Sequence, residues 1–399
     1  MKRKMAFRIA GFLTAGSAAL CVIAIIVLYV ISGGYMKQTY MEPWSKSYAE
    51  NYSDPRVRLT AAGLLAASNH NMQPWIVRLD GADSMTFWLY ADNSRMTKEV
   101  DPDARQMMIS QGTFLEYVAV AGEKEGYHAD ISLFPDGNYD EAHLSESMNT
   151  KPVAKITLTK AKAESSQLYD ALFLPDTNRE AYRSENLTGA QSSALESLSS
   201  ESGISVKIFQ DRENLANIGQ FAMQSAVIEA GVSRVMEESN VIFRANEYQK
   251  NQYRYGYSVE GQGTSGFMRH ILQGLVTLFP SMNTGKAASQ NFISSTQTSV
   301  DHTPAYAMII SAGNSRAEQV ESGILYSKMV LIGHELGLAM QPLSQVLEEY
   351  PEMKIPYAEF KKAYAPVGGT VQMLFRVGVP TKNVPLSMRR DVQSLIKSN

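Results

Sequence analysis

Residues 68–75 read Ser68-Asn69-His70-Asn71-Met72-Gln73-Pro74-Trp75 and directly follow the apolar run Leu64-Leu65-Ala66-Ala67. The stretch combines five hydrogen-bonding side chains with a stiff proline and a large aromatic ring. A core strand could hold the Trp, but each unpaired polar group beside it would cost about 1–3 kcal/mol. These residues alone leave two interpretations open: a turn whose Asn and Ser side chains cap their own backbone, or a loop that contacts a bound polar and aromatic ligand.

The composition of the whole chain predicts a packed globular protein. Its 399 residues are enough for two ordinary domains or one large one, and 44% of them are apolar. The net charge of −3 gives no reason to expect a nucleic-acid partner. The one cysteine, Cys21, lies in the N-terminal apolar run, which excludes disulfides, thiolate metal sites and cysteine nucleophiles from the rest of the chain.

The N-terminus predicts a membrane anchor. A basic flank, residues 1–8, precedes an uncharged and mostly apolar run over residues 9–32 that is long enough to span a bilayer as a helix. A cleaved signal peptide would have a shorter apolar region. Because basic flanks stay cytoplasmic, we expect a single-pass protein of the cell membrane with a soluble extracytoplasmic domain. Residues 33–55, polar and aromatic without a period, are then a juxtamembrane connector.

Hydrophobic periodicity predicts alternating helices and strands up to a long irregular region. Helices are expected at 56–67, 102–125, 192–200, 214–237 and 318–338, and strands at 76–79, 85–90, 153–158, 204–208, 305–310 and 371–377. Residues 240–302 lose the period apart from a short helix at 268–278. Loops of that length are usually functional lids or disordered, so this insertion is a candidate lid.

Two blocks of the chain repeat each other. Ala91-Asp92-Asn93-Ser94-Arg95 and Ala312-Gly313-Asn314-Ser315-Arg316 each follow a strand and precede a helix. The helices carry glycines at matching spacings, namely Gly112, Gly122 and Gly126 against Gly323, Gly333 and Gly337. We interpret this as an internal duplication, with one half at 56–165 and the other at 166–399. Two similar halves in one chain could pack as a two-fold homodimer packs.

Several familiar catalytic motifs are absent or lack their context. The run Gly261-Gln262-Gly263-Thr264-Ser265-Gly266 has the letters of a dinucleotide fingerprint but neither a good preceding strand nor the following acid, so a flexible loop is the better interpretation. The pair His334-Glu335 lacks the second histidine of a metalloprotease helix, and the six histidines show no metal-ligand spacing, so no metal is expected. Two anion-binding candidates remain: the turn Asp176-Thr177-Asn178-Arg179 and the strand residue Arg376.

Taken together, these pieces resemble the nitroreductase superfamily of flavoproteins, and most closely its single-chain, internally duplicated Acg-like branch. The family pattern Ala-Pro-Ser-x-His-Asn-x-Gln-Pro-Trp is matched by residues 66–75. Further blocks follow in the family's order over most of residues 56–392: Asp101-Pro102-Asp103-Ala104-Arg105, Ser110-Gln111-Gly112, Thr177-Asn178-Arg179, Gly337-Leu338-Ala339-Met340-Gln341-Pro342-Leu343 and Leu374-Phe375-Arg376-Val377-Gly378.

The resemblance implies an α+β fold: a nitroreductase-like α/β/α sandwich in two pseudo-symmetric halves, preceded here by one transmembrane helix. The chain would be a monomer that mimics a homodimer, with FMN between its halves. By carry-over, the FMN phosphate would be held by Thr177, Arg179 and Arg376, and the ribityl chain and ring would be contacted by Ser68, Asn71 and Gln73. No side chain is named as catalytic, because the flavin itself carries the hydride.

The chain departs from the family pattern at two places. Ala67 stands where the family has Pro, which is a mild change in loop stiffness. Pro175 and Asp176 replace the first Arg of the turn motif, and a carboxylate there would repel a phosphate unless another group such as Arg183 rebuilds the site.

The sequence therefore predicts a membrane-anchored, FMN-dependent NAD(P)H oxidoreductase that reduces a nitroaromatic, quinone or similar small-molecule acceptor. Two alternatives stay open. One is a non-catalytic protein of the same fold that sequesters flavin or another ligand under its lid. The other is an interaction domain whose flavin site is empty.

Overall fold

The computed structural model describes residues 2–164, 167–199 and 203–397, and for residues 2–16, 167 and 262 it describes the backbone alone. The described chain is an α+β protein with a sheet in each half. The first helix, α1, runs Lys2–Ser32.

The first half is built on a five-stranded sheet with the order β11-β1-β2-β4-β3. The sheet is antiparallel except for the last strand of the chain, which pairs in parallel with β1. Its strands are β1 (Trp75–Leu79), β2 (Thr86–Ala91), β3 (Tyr127–Leu133), β4 (Ala154–Lys160) and β11 (Ile396–Lys397), and its helices are α2 (Pro55–Gly63), α3 (Arg105–Glu125), α4 (Leu144–Thr150) and α5 (Gln167–Ala171).

The second half is built on a four-stranded antiparallel sheet with the order β5-β8-β10-β9. The strands are β5 (Ser205–Phe209), β8 (Ala305–Ser311), β9 (Ala339–Pro342) and β10 (Thr370–Gly378). The helices are α6 (Gly189–Glu196), α7 (Arg212–Gly231), α12 (Arg316–Glu335) and α13 (Lys354–Tyr364). Every residue of β8 and β10 is buried, which explains the largely apolar sequence of β8, whereas β10 also buries the polar residues Thr370, Gln372 and Arg376.

A roof, which we define as residues 233–301, separates α7 from β8. It contains α8 (Ser233–Val241), α9 (Glu247–Tyr253), α10 (Gly266–Leu278), α11 (Gly285–Asp301) and a two-residue parallel pair, β6 (Phe243–Arg244) with β7 (Tyr257–Ser258). Short 3₁₀ turns complete the chain at Thr39–Trp44, Ala49–Asn51, Asn69–Asn71, Asn93–Arg95, Glu141–His143, Val259–Gln262, Pro280–Asn283, Ser344–Leu347, Pro351–Met353 and Val392–Ser394.

The two halves meet where α3 crosses α12. A Cβ atom added at Gly112 would lie 1.8 Å from the Val320 carbonyl oxygen, and one added at Gly323 would lie 1.9 Å from the Ile109 carbonyl oxygen. Only glycine permits so close an approach of two helix backbones. The two glycines that the repeat aligns therefore face each other across the contact between the halves.

Local sequence explains why these two helices begin where they do. Ser315 caps α12 in a capping box with Glu318, since each side chain accepts from the other residue's backbone N–H. Helix α3 begins after Ala104, which adopts a left-handed backbone with φ 54°. Asp101 then accepts hydrogen bonds from the backbone N–H groups of the first turn at Gln106 and Met107.

The predicted transmembrane helix at residues 9–32 is wrong. Among the residues that the structure describes, no helix is long and apolar enough to cross a bilayer. The end of α1 instead packs on α10: the Tyr29 ring stacks on Phe267 at 6.0 Å, and the fully buried Ser32 Oγ lies 3.3 Å from His270 Nδ1. Three further predictions rest on that anchor: the cell-membrane location, the cytoplasmic N-terminus and the extracytoplasmic domain. These predictions are wrong for the same reason.

The segment 33–55, predicted as a juxtamembrane connector, packs against both the roof and the C-terminal tail. The Tyr40 hydroxyl donates to Glu247 Oε2 at 2.6 Å, which joins the segment to α9. The Trp44 indole N–H donates to the Ser387 carbonyl oxygen at 2.7 Å, which joins it to the C-terminal tail. Aromatic residues that gave no periodic signal are thus buried contacts between distant parts of the chain.

The roof itself is more regular than predicted. Besides the expected helix, which is α10, it contains α9 and the 17-residue α11. These two helices carry polar side chains on their buried faces, such as Thr296 and Ser299 of α11, which hides the apolar period of an ordinary surface helix. The predicted helix 214–237 is divided into α7 and α8 at Val232, whose backbone is extended.

Candidate functional site

A cavity of about 580 Å³, here called the main cavity, lies between the two halves and beneath the roof. Its size is that of an ordinary small-molecule site. The first half contributes residues 67–70 and one face of α3, and the second half contributes the turn Thr177–Arg179 and residues 341–345. From the roof come residues of α8, α10 and α11 and the segment between them.

The loop 68–75 enters this cavity in an unusual backbone conformation. His70, Asn71 and Gln73 have φ values of 47°, 52° and 51°, in the left-handed region that non-glycine residues rarely adopt. Three such residues within four positions store strain that the surrounding structure must hold in place. Backbone strain of this kind is typical of functional sites. The loop's own capping bonds also stabilise this conformation, since the Gln73 N–H donates to Ser68 Oγ at 2.9 Å.

Helix α3 fixes one side of the loop. The Asn69 N–H donates to Ser110 Oγ at 3.0 Å, and the Trp75 indole N–H donates to the Ser110 carbonyl oxygen at 2.7 Å. The Gln111 side chain donates to the Pro74 carbonyl oxygen at 2.9 Å. Trp75 is fully buried, so the aromatic end of the stretch belongs to the core of the first half rather than to the cavity.

The C-terminal tail fixes the other side. The Arg389 guanidinium donates to the carbonyl oxygen of Leu65 at 2.6 Å and to Asn71 Oδ1 at 3.1 Å. The Arg390 N–H donates to Gln73 Oε1 at 2.8 Å. These two arginines are 3% and 6% exposed and serve as buried donors to the loop.

Thr177 and Arg179, two of the predicted phosphate ligands, both lie on the cavity wall. Arg179 has accessible surface inside the cavity but, among the described residues, no carboxylate or hydrogen-bond partner; the surrounding tyrosines include Tyr182, Tyr257 and Tyr326. Because protein surrounds the guanidinium, desolvation lowers its pKa. An unpaired cation in a cavity is an anion-binding group.

The neighbouring Asn178 keeps this turn in place. Its backbone N–H donates to the Met340 carbonyl oxygen at 2.9 Å, and its side-chain amide donates to the Lys382 carbonyl oxygen at 2.9 Å. Its side-chain oxygen accepts from the Glu180 N–H at 2.9 Å. The position of Arg179 is therefore set by the rigid turn around it.

Arg376 is fully buried and does not line the main cavity. Its guanidinium donates to Gln341 Oε1 at 2.6 Å and to the Glu180 carbonyl oxygen at 2.6 Å, and it lies 3.9 Å from the Tyr182 ring centroid. All of these partners are protein groups. Arg376 thus fixes the turn that carries Arg179 rather than facing the cavity beside it.

The six predicted cofactor-binding residues therefore divide into two groups. Ser68, Thr177 and Arg179 line the main cavity together. Asn71 lines only a smaller neighbouring cavity of about 240 Å³, where its amide donates to the Gly256 carbonyl oxygen at 2.9 Å. Gln73 lies in neither, since it is fully buried and donates to the Arg254 carbonyl oxygen at 2.9 Å, and Arg376 is likewise outside both.

Asp176, where the sequence predicts a conflict with a phosphate, accepts a hydrogen bond from α3. The Tyr117 hydroxyl donates to Asp176 Oδ1, and the Arg389 charge also lies within electrostatic range. Burial nevertheless raises the pKa of Asp176 to about 6. Arg183, suggested as a replacement for the missing arginine, is exposed and lines neither cavity.

His70 is the site residue that sequence reasoning passed over. Its ring lines both cavities, and its buried Nδ1 has no partner among the described residues. Burial and the positive charge of Arg179 lower the pKa of His70 to about 4, so the imidazole is neutral at pH 7. The effect of the Arg179 charge on His70 shows that the loop 68–75 lies close to the Thr177–Arg179 turn. The sequence signal was present in the stretch itself, because His and Asn are among the residues most tolerant of a positive φ.

Comparison with known proteins gives curated relatives but no matching family model. The chain is 24% identical over 345 residues to a Mycobacterium tuberculosis H37Rv protein with the provisional name NAD(P)H nitroreductase Rv3131. It is equally similar to MT3217, a protein of the same provisional name from M. tuberculosis CDC 1551. Each match covers 86% of this chain and 90% of the relative.

Solved structures give weaker likenesses. A nitroreductase-like protein from Bacillus cereus aligns over 59% of this chain and 98% of its own, with 10% identity and a TM-score of 0.31. A Desulfitobacterium hafniense nitroreductase with bound FMN aligns over 57% and 96%, with 12% identity and a TM-score of 0.31. Scores this low support no argument about this chain.

The curated relatives align with 86% of this chain. They do not distinguish the duplicated Acg-like branch, which stays a prediction. Over most of its length the chain is similar to proteins named as NAD(P)H nitroreductases, which supports its resemblance to the nitroreductase superfamily.

Proposed function

We propose that this protein is an FMN-dependent oxidoreductase that takes reducing equivalents from NAD(P)H and passes them to a small acceptor such as a nitroaromatic or a quinone. One observation carries the proposal: the unpaired Arg179 guanidinium beside Thr177 in a cavity between two halves. The curated relatives, named as NAD(P)H nitroreductases, support it.

The groups that line the cavity fit FMN. A guanidinium and a hydroxyl suit the phosphate, so Thr177 and Arg179 would hold it. Ser68 and His70 would face the rest of the molecule, where the unpaired His70 Nδ1 is available for a hydrogen bond. Gln73 and Arg376 would act indirectly, by fixing the loop and the turn. When bound, FMN would supply the hydride chemistry, and the protein would position it and exclude water.

A flavin titration tests the cofactor. Purified protein mixed with FMN is expected to acquire flavin absorbance, and Arg179→Ala should weaken binding by about 1.5–3 kcal/mol, the contribution of a hydrogen bond to a charged group. Arg183→Ala is the matched control, since it removes the same charge four residues away and outside both cavities. A protein that gains no flavin absorbance, or an unchanged dissociation constant in Arg179→Ala, would contradict the proposed site.

The alternative is a protein that sequesters flavin without turnover. The roof favours it, because residues of α8, α10 and α11 line the cavity above the proposed flavin site. Anaerobic addition of NADH or NADPH to the flavin-loaded protein separates the two. Bleaching of the flavin absorbance followed by reoxidation with a nitroaromatic or quinone supports the oxidoreductase, whereas a flavin that stays oxidised supports sequestration.

A further inference from the structure

A second part of the main cavity wall is rich in hydrogen-bond acceptors. It consists of Glu229 in the last turn of α7, Glu348 after β9, and Gln372 on β10, all of which line the cavity. They are 6%, 5% and 0% exposed, respectively. We call this group the acceptor cluster. The groups that shift the pKa of Arg179 are tyrosines and include no carboxylate, so the cluster is separate from the Thr177–Arg179 turn.

Each member of the acceptor cluster has an oxygen without a partner among the described residues: Glu229 Oε2, Glu348 Oε2 and Gln372 Oε1. The orientation of the Gln372 amide is set from behind. Its Nε2 donates to Ser311 Oγ at 2.9 Å and to Asn314 Oδ1 at 3.0 Å, which leaves the oxygen as the free end. Unpaired buried acceptors are costly, so a set of them on one cavity wall indicates a ligand that donates.

The nearby cation does not satisfy these acceptors. Arg105 is fully buried, and its guanidinium donates to the carbonyl oxygens of Gln372 at 2.5 Å and Leu347 at 2.8 Å. Its Nε lies 3.6 Å from Glu349 Oε2. The Arg105 guanidinium thus lies within electrostatic range of three carboxyls, those of Glu348, Glu349 and Asp101. The pKa of Glu229, in contrast, is not lowered by any nearby positive charge among the described residues.

We propose that the acceptor cluster binds a cationic nitrogen group, an ammonium or an amidinium, on the small molecule that the protein takes up beside its cofactor. The inference rests on the proposed function, since it names the class of electron acceptor. An ammonium offers three donors and a positive charge, which matches two carboxyls and an amide oxygen. A carboxylate or phosphate has no donors or positive charge to offer these groups, and it would be repelled wherever they ionise.

The protonation of the cluster is consistent with a missing cation. Burial raises the pKa of Glu229 to about 8, and burial together with the Glu229 charge raises the pKa of Glu348 well above its ordinary range. Without a bound cation the two carboxyls therefore retain protons near neutral pH. A bound ammonium or amidinium would stabilise the carboxylates and release those protons.

Isothermal titration calorimetry of the full-length protein with three probes of similar shape tests the site. Benzamidinium is expected to bind at least about tenfold more tightly than benzyl alcohol, with benzoate weaker than both. Glu229→Gln and Glu348→Gln should each reduce benzamidinium affinity by at least about tenfold. Glu352→Gln is the control, because Glu352 pairs with Arg234 on the surface and lies outside the cavity.

Equal affinities for the three probes, or unchanged benzamidinium binding in both cluster variants, would overturn the proposal. So would binding of Ca²⁺ or Mg²⁺ that requires both glutamates while benzamidinium binds no better than benzyl alcohol. None of the probes accepts electrons, so the result does not depend on turnover. A protein that binds FMN but does not discriminate the probes refutes this inference alone, whereas one that binds no FMN refutes the proposed function.

In flavin-loaded protein that turns over, the same preference should appear in kinetics. The KM for 4-nitrobenzylamine is expected to be at least about tenfold lower than that for 4-nitrobenzyl alcohol, and Glu229→Gln should remove the difference. A difference that persists in Glu229→Gln would contradict the assignment.

Discussion

Two arginines near the C-terminus, Arg389 and Arg390, shape the loop that the sequence singles out. Between them they donate to backbone or side-chain oxygens of Leu65, Asn71 and Gln73. Burial lowers the pKa of each to about 10, which still leaves both charged at neutral pH. The strained backbone at 70–73 is therefore held by charge-assisted hydrogen bonds from more than 300 residues away.

Arg389→Leu is expected to lower the free energy of unfolding by about 2–4 kcal/mol, because the carbonyl oxygens of Leu65 and Ala66 would lose their donor in a buried setting. Chemical denaturation monitored by Trp fluorescence measures the change. Arg183→Leu, at an exposed position, should stay within about 0.5 kcal/mol of the wild type. Equal stability of the two variants would show that the loop does not depend on Arg389.

At the scale of elements, the contact between α3 and α12 joins the halves. Gly112 and Gly323 occur at matching positions in the two repeated blocks and face each other there. A two-fold relation between duplicated halves would bring equivalent residues together in this way. The internal duplication stays a prediction, but this crossing is the arrangement that it requires.

Gly112→Ala should destabilise the protein by about 3 kcal/mol, because its Cβ would meet a helix backbone that cannot rotate away. Gly231→Ala is the matched control: a Cβ there meets nothing within 4 Å, so stability should be unchanged or rise by up to about 1 kcal/mol. The midpoint of thermal unfolding distinguishes the two. Similar midpoints would mean that the helices can separate without cost.

The elements that periodicity missed escaped it for different physical reasons. Strand β3 begins directly after the C-cap Gly126 of α3, so no loop composition separates the two. Strand β9 has only four residues, which is too short for a period to be seen. Helices α9 and α11 bury polar side chains against other polar groups, and burial of that kind leaves no hydrophobic pattern.

At the scale of the whole molecule, the buried carboxyls that line the cavity lower the stability of the folded protein. Buried carboxyls without partners are tolerated at functional sites because a ligand satisfies them. Glu229 is the clearest case, and Glu348, Tyr257 and Tyr350 are the titratable groups that interact with it.

Glu229 should make the protein less stable as the pH rises. Its pKa is raised from an ordinary 4.5 to about 8 in the folded state, so the folded protein binds the extra proton, and this stabilisation is full below the unfolded pKa and is lost as the pH rises through about 8. Glu229→Gln removes the titration. We expect the variant to gain about 1 kcal/mol per pH unit relative to the wild type between about pH 5 and about pH 8.

Denaturation midpoints of wild type, Glu229→Gln and Glu352→Gln over that pH range measure the effect. Glu352 is an exposed control whose pKa is lowered rather than raised, through its hydrogen bond to Arg234. A wild type and Glu229→Gln that respond to pH in parallel would place the Glu229 carboxyl in a solvated, ordinary environment.

The sequence by itself determined the local structure and the family resemblance. Periodicity located the main helices and strands, and the ordered polar blocks carry the resemblance to the nitroreductase superfamily that the curated relatives support, because turn chemistry and hydrophobic patterning are properties of neighbouring residues. The resemblance named Ser68, Thr177 and Arg179 as FMN contacts; all three line one cavity, and their binding of FMN stays a prediction.

Only the tertiary structure decided which polar groups face the cavity and which support it. Arg376 and Gln73 have the side chains of ligand contacts but are satisfied by protein groups. The acceptor cluster comes from three segments of the second half that are far apart in sequence. The apolar run at 9–32, read alone as a membrane span, ends packed against the roof. Burial and partnership depend on contacts between residues distant in the chain, and those contacts are formed only when the chain folds.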